Sequence, residues 1–208
     1  NRYGLIYVYY IMEVNIWGYL MVVLAVVLAV KFYRESDYFN LKCIISDVDG
    51  KKYCVRERGK LELAADLLAT TANGMTSLVS HCGKTFPDRG NIKRLVEGFN
   101  PKKITETLPT SEFTAYSENK GEKIAFCLDK KRSGKGGLID QNTLMFVAIH
   151  ELAHVATLSI GHTDEFWTNF KFLLQEAEQI GIYTPVDYSR KPKEYCGMDI
   201  TDNPYYDK

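Results

Sequence analysis

From Val14 to Val30 the chain reads VNIWGYLMVVLAVVLAV, seventeen residues without a charge. Val, Leu and Ala occupy every helical face from Leu20 to Val30, which predicts a helix in an apolar medium rather than one packed on a core by a single stripe. Such a helix spans roughly 25 Å, just short of a hydrocarbon core, and extension into LIYVYYI or local bilayer thinning supplies the difference. Tyr3, Tyr7, Tyr9, Tyr10, Trp17 and Tyr19 gather toward its N-terminal side, as an interfacial aromatic belt would. A secretory signal needs a basic start and a small-residue exit; only Arg2 precedes the run, and no A-x-A-like site precedes Lys31. The pattern predicts a membrane anchor over residues 1–32, with residues 14–30 in the membrane. Lys31 and Arg34 follow it directly, a bias that points to a head on the cytosolic side. The chain opens on Asn1, and Met12 stands just before the apolar run. Either the first eleven residues belong to a processed product or Met12 is the start.

Past the anchor the pattern becomes that of a folded head. LKCIISDVDGKKYCVRE is β-branched around Asp49-Gly50, a hairpin turn signal. DVDG lacks the spaced third acid and closing Glu of a calcium loop, so it reads as a turn. In LELAADLLATTANGMTSLVS, apolar residues recur at Leu61, Ala64, Leu67/Leu68, Ala72, Met75 and Leu78/Val79, the spacing of a core-packing helix. NIKRLVEGF predicts a short helix closed by Gly98, and EFTAYSENKGEKIAFCLDKK two strands around Asn119-Lys120-Gly121. RSGKGG does not match a phosphate-binding loop and reads as a flexible connection. IDQNTLMFVAIHELAHVATL has Asp140 or Asn142 as N-cap, and Gly161 is expected to end this helix. Thr163 caps the next, DEFWTNFKFLLQEAEQIG, whose Phe166, Phe170, Leu173 and Leu174 form an apolar face. The tail has no period and reads as a surface wrap. The expected class is α+β: one N-terminal transmembrane helix, then a small head over residues 33–208 with an active-site helix, a short sheet, a C-terminal helix and an irregular tail.

The chain has 208 residues, enough for one ordinary domain. Its 26 basic residues equal its 26 acidic ones, which argues against a protein built to grip nucleic acid. Five cysteines are spread without a CxxC pair, so no zinc ribbon or thioredoxin-like motif is encoded. Cys43 and Cys54 could face each other across the hairpin, but the expectation is five reduced, mostly buried thiols. His81 and Cys82, at a helix end, read as structural.

The other three of four histidines crowd into HELAHVATLSIGH. His150 and His154, four residues apart on a helix, project from one face and can take two corners of a tetrahedral zinc. Glu151 is rotated from His150 by about 100°, which lets it reach a metal-bound water as general base. His162, past a glycine turn, supplies the third ligand and leaves one position open. The expected site is therefore metal ligands His150, His154 and His162 with Glu151 catalytic, acting on a protein or peptide. A substrate would lie extended along an edge strand, and GEKIAFCL is the candidate, a plain core strand being the other reading.

HELAHVATLSIGHTDEFW resembles the zincin metallopeptidases of the WLM and SprT-like group, with an H-E-x-x-H helix, a third His and a following Phe-Trp pair. Seven residues separate His154 and His162, a longer spacer than is common in WLM members. DGKKYCVRERGKLELAADLLA, ENKGEKIAFCL, NTLMFVAIHELAHVATLSIGHTDEFWTNFKFLLQEA and IGIYTPVDYSRKPKEYCGMDITDNPYYD are together similar to a metallopeptidase family of large double-stranded DNA viruses of algae and protists. The resemblance implies a zincin-like head, Zn2+ as cofactor and peptide-bond hydrolysis. It also implies a place in the internal membrane or capsid of a virus particle. There the head would be a peptidase or, alternatively, a minor capsid protein that binds capsid partners with little catalysis. A DNA-linked repair role fits poorly with the anchor and the balanced charge.

Overall fold

The computed structural model describes residues 2–36, 40–131 and 136–207. The uniformly apolar run lies in one long helix, α1 (Arg2–Glu35). Its segment Ile16–Arg34 is long and apolar enough to cross a membrane, and none of it is buried against protein. Asn1–Asn40 and Leu41–Lys208 form separate compact units.

The second unit opens with an antiparallel hairpin, β1 (Leu41–Ile45) and β2 (Lys52–Arg56). The expected turn is there: Gly50 has φ +70°, and the Asp49 carboxylate accepts from Lys51 N–H at 3.0 Å and Tyr53 O–H at 2.9 Å. Helices α2 (Leu61–Thr85) and α3 (Gly90–Gly98) follow where apolar spacing places them. α2 buries Ala64, Leu68, Ala72, Met75 and Leu78 as one stripe in the core. A three-stranded sheet has the order β3 (Ile104–Glu106), β5 (Lys123–Phe126), β4 (Ala115–Glu118), with β3 parallel and β4 antiparallel to β5. GEKIAFCL is thus not the edge. Ile124, Ala125 and Phe126 are fully buried, and a continuous apolar run belongs at the centre of a sheet. The edges are β3 and the more polar AYSE of β4.

Helix α4 (Gln141–Ala156) starts at Asp140, whose carboxylate accepts from Thr143 N–H at 2.9 Å. It ends sooner than expected. Thr157 closes it and donates its hydroxyl back to Ala153 O at 2.7 Å. Gly161, at φ +84°, lies in the loop beyond rather than at the helix terminus. Thr163 caps α5 (Asp164–Gln179), which buries Phe166, Phe170, Leu173 and Leu174. The tail is more than a wrap: it contains a short hairpin, β6 (Lys193–Tyr195) and β7 (Met198–Ile200), and a 3-10 turn at Pro204–Tyr206. Tyr188 is fully buried and Tyr195 is 2% exposed. Of the RSGKGG loop, residues 132–135 lie outside the described residues.

The expectation of reduced thiols is overturned. Cys43 and Cys54 are cross-strand partners in the first hairpin and form a disulfide. Cys127, just past β5, is bonded to Cys196 in the second hairpin, 69 residues away in sequence. Fold topology brings that pair together, and no local pattern reports it. Cys82 remains free and buried, with its thiol pushed up to about 12, mainly by burial. His81 is engaged with the Glu176 carboxylate at 2.8 Å.

Candidate metal centre

Helical geometry sets the first two imidazoles. His150 Nε2 lies 3.2 Å from His154 Nε2, and His162 Nε2 lies 3.1 Å from His150 Nε2. The three residues form a group able to hold a metal ion. Nitrogens bound at about 2.0–2.1 Å to a tetrahedral centre stand roughly 3.3 Å apart, so the spacing and chemistry of this donor set fit zinc. Burial, followed by the neighbouring histidines, holds His150 down to about 3. Burial, His162 and Lys120 hold His154 down to about 4. Both are therefore neutral near pH 7, the form that ligates metal.

The third imidazole, His162, comes from a loop, and the loop is pinned. The Glu165 carboxylate accepts from Leu158 N–H at 3.0 Å, Ser159 N–H at 3.1 Å and Ser159 O–H at 2.8 Å. Lys120, from the β4–β5 turn, donates to Thr157 O at 2.8 Å and Ser159 O at 3.2 Å. Arg94 donates to Ala156 O at 2.9 Å and Asn169 to Thr157 Oγ1 at 2.9 Å. Arg94 and Lys120 thereby satisfy carbonyls that the C-terminus of α4 leaves open. Beneath the triad sits Phe166, fully buried, with its ring centroid 4.9, 4.3 and 4.7 Å from those of His150, His154 and His162.

Glu151 is 6% exposed and shares a cleft of about 860 Å³ with the three histidines. Burial raises its carboxyl to about 8. A cation at the imidazoles acts the other way and favours the carboxylate. β4 and the β4–β5 turn form one wall of this cleft, and Tyr195, Met198, Asp199 and Ile200 from the second hairpin form another. The sequence thus indicated the histidines and Glu151, which the structure brings together, but not the hairpin wall. The tail's lack of any helical or strand period gave no advance signal of it.

An uncharacterized protein of Acanthamoeba polyphaga mimivirus is 31% identical to this chain over 184 residues, 86% of this chain and 92% of that one. The chain belongs to the same family as this viral protein. The family reaches into invertebrate iridescent viruses. An uncharacterized protein of invertebrate iridescent virus 3 is 38% identical over 135 residues, 62% of this chain and 80% of its own length. Another, of invertebrate iridescent virus 6, is 40% identical over 77 residues, 36% of this chain and 41% of its own. No protein-family model and no solved structure matches the chain.

Proposed function

We propose that the head is a zinc-dependent endopeptidase of zincin type, tethered to a membrane by α1 and acting on proteins at that membrane in a virus particle or during its assembly. The observation that carries this reading is the convergence of three imidazole nitrogens beside Glu151, in a cleft bordered by a free strand edge. Zinc, when held by His150, His154 and His162, supplies a Lewis acid that polarises a carbonyl and acidifies water. Glu151 takes a proton from the attacking water on its carboxylate and delivers it to the leaving amine.

The strand edge supplies the substrate's position. Cys127 N–H donates to Thr114 O, while Ile124 N–H donates to Lys103 O and Thr107 N–H to Phe126 O. Alternation along an antiparallel pair then turns the main-chain groups of Thr114, Tyr116 and Glu118 toward β5. Those of Ala115 and Ser117 face away from it. Among the described residues their N–H and C=O groups have no main-chain partner, so an extended peptide can pair with them as an added strand.

A minor capsid protein that keeps zinc for stability alone would be expected to have its groove filled by its own tail or by a neighbour. Here the tail forms a wall and leaves the groove open, which supports the peptidase reading. The test is Glu151→Gln in the purified full-length chain. It keeps one zinc per chain and its fold but loses peptide cleavage by at least about 100-fold. Cleavage at the wild-type rate sinks the reading.

A further inference from the structure

The metal side of the cleft is held by local contacts: the Glu165 and Lys120 ties to the ligand loop and the Phe166 ring under the imidazoles. None of them involves the second hairpin. That hairpin has three residues in each strand, paired Lys193 to Ile200, Glu194 to Asp199 and Tyr195 to Met198. A two-stranded ribbon is marginal on its own, and this one sets two carboxylates opposite each other. Its turn holds Cys196 at φ +50°, a conformation disfavoured for a residue with a side chain. Yet it carries Tyr195, Met198, Asp199 and Ile200 into the cleft.

Its noncovalent ties are the burial of Tyr195 and Cys196 in the core, with Ile200 packed against it, and a few hydrogen bonds. Cys196 N–H donates to Asp129 O at 3.0 Å and Gly197 N–H to Lys130 O at 2.8 Å. Tyr195 O–H donates to Thr114 O at 3.1 Å, and Lys193 reaches Asp140 at 3.4 Å near the surface. Tyr195 anchors one strand, and the link at the turn itself is covalent. The Cys127–Cys196 bond fastens the hairpin turn to the end of the central strand, and its two residues are 0% and 3% exposed.

We propose that the Cys127–Cys196 disulfide is a latch that sets the substrate-binding wall of the cleft, so that a thiol-oxidising reaction must act on the chain before the site can hold a peptide. The proposal rests on the peptidase reading for its substrate and on the hairpin geometry for the latch. The oxidant is a disulfide, of a protein or a small molecule. The Cys196 thiolate attacks one of its sulfurs, forming a mixed disulfide and expelling the other sulfur as thiolate. The Cys127 thiolate then attacks Cys196 Sγ, forming the latch and expelling the second thiolate. Each cysteine gives up one proton, and the oxidant takes up two electrons and leaves as a dithiol or a pair of thiols. The other disulfide is an internal control, because no residue of the first hairpin lines the cleft.

The experiment compares three full-length chains in detergent micelles: wild type, Cys127→Ala/Cys196→Ala and Cys43→Ala/Cys54→Ala. Zinc content, amide hydrogen exchange over residues 193–203 and the kinetics of cleavage of an unstructured peptide are read on each. Loss of the latch should leave one zinc per chain, speed exchange over 193–203 at least tenfold and raise KM at least tenfold with a smaller fall in kcat. The control pair should leave all three near wild type. Exchange over 193–203 and KM both within twofold of wild type in the latch variant overturn the proposal. So does loss of zinc from that variant, because the bond would then hold the whole core rather than one wall. A wild-type chain that cleaves nothing sinks the peptidase reading but leaves the exchange comparison to decide the latch.

Discussion

Phe166→Leu tests whether the ring beneath the triad positions the ligands or only fills the core. Phe166 is fully buried and packs against all three imidazoles, with centroid distances of 4.3 to 4.9 Å. Truncation to alanine would cost about 3–5 kcal/mol of stability. Leucine keeps most of the apolar volume and leaves a far smaller cavity than alanine, so its cost falls below that range and the chain stays folded. What leucine cannot supply is a flat surface touching three rings at once. Each imidazole it frees must be ordered again when metal binds, at about 0.5–1.5 kcal/mol apiece. Taking the low end for three rings gives about 1.5 kcal/mol, or roughly tenfold weaker zinc binding. The assay is competition with a fluorescent zinc chelator at pH 7, paired with urea denaturation of the metal-free chain. Zinc affinity within twofold of wild type, alongside a measurable stability loss, would show that Phe166 is core packing and nothing more.

Three further outcomes are expected. The Glu165 carboxyl is held down to about 2, against an ordinary 4.5, first by the N–H groups of Leu158 and Ser159. A lowered folded-state value stabilises the chain above pH 4.5 and loses that effect as pH falls toward 2. Glu165→Gln should therefore be less stable than wild type at pH 7 in urea titrations, and the gap should close between pH 4.5 and 2; a pH-independent gap contradicts the clip. In Gly161→Ala, an added Cβ meets no atom within 4 Å, so its cost is the left-handed backbone alone, about 1–2 kcal/mol. A larger loss by thermal denaturation would point to contacts the structure does not show. Under a dithiol in native buffer, the exposed Cys43–Cys54 bond should open before the buried Cys127–Cys196 bond, as read by alkylation and mass spectrometry. The reverse order would contradict their burial.

What the sequence made legible was local. His150 and His154 share a helix turn, Thr163 caps its own helix, and Asp49-Gly50 turns its own hairpin. Each depends on residues a few positions apart, where periodicity and capping chemistry are decisive. The misses are of the opposite kind. Which of β4 and β5 lies at the edge is fixed by β3, which arrives from residues 104–106 to cover one side of β5. The helix stops before Gly161 because Arg94 and Lys120, from α3 and the β4–β5 turn, cap its last carbonyls. The Cys127–Cys196 bond closes 69 residues. Such features belong to the assembled fold, and spacing along the chain carries no record of them.

The same division runs through the candidate site itself. Its metal half is encoded almost entirely between His150 and Phe170, with two cations reaching in from α3 and the β4–β5 turn. The half proposed to hold a peptide is assembled from β4 and a tail hairpin that meet only in the folded chain. Under the proposed peptidase reading, zinc occupancy and cleavage would be separable properties of this molecule. The ribbon that forms this wall has six paired residues with like charges face to face, and the Cys127–Cys196 bond ties its turn to the end of the central strand. A reduced chain would load metal through His150, His154 and His162 and still lack the wall that holds a peptide against Glu151. On that proposal metal content alone would not report activity, and the decisive comparison is cleavage by zinc-loaded chains with the latch open and closed.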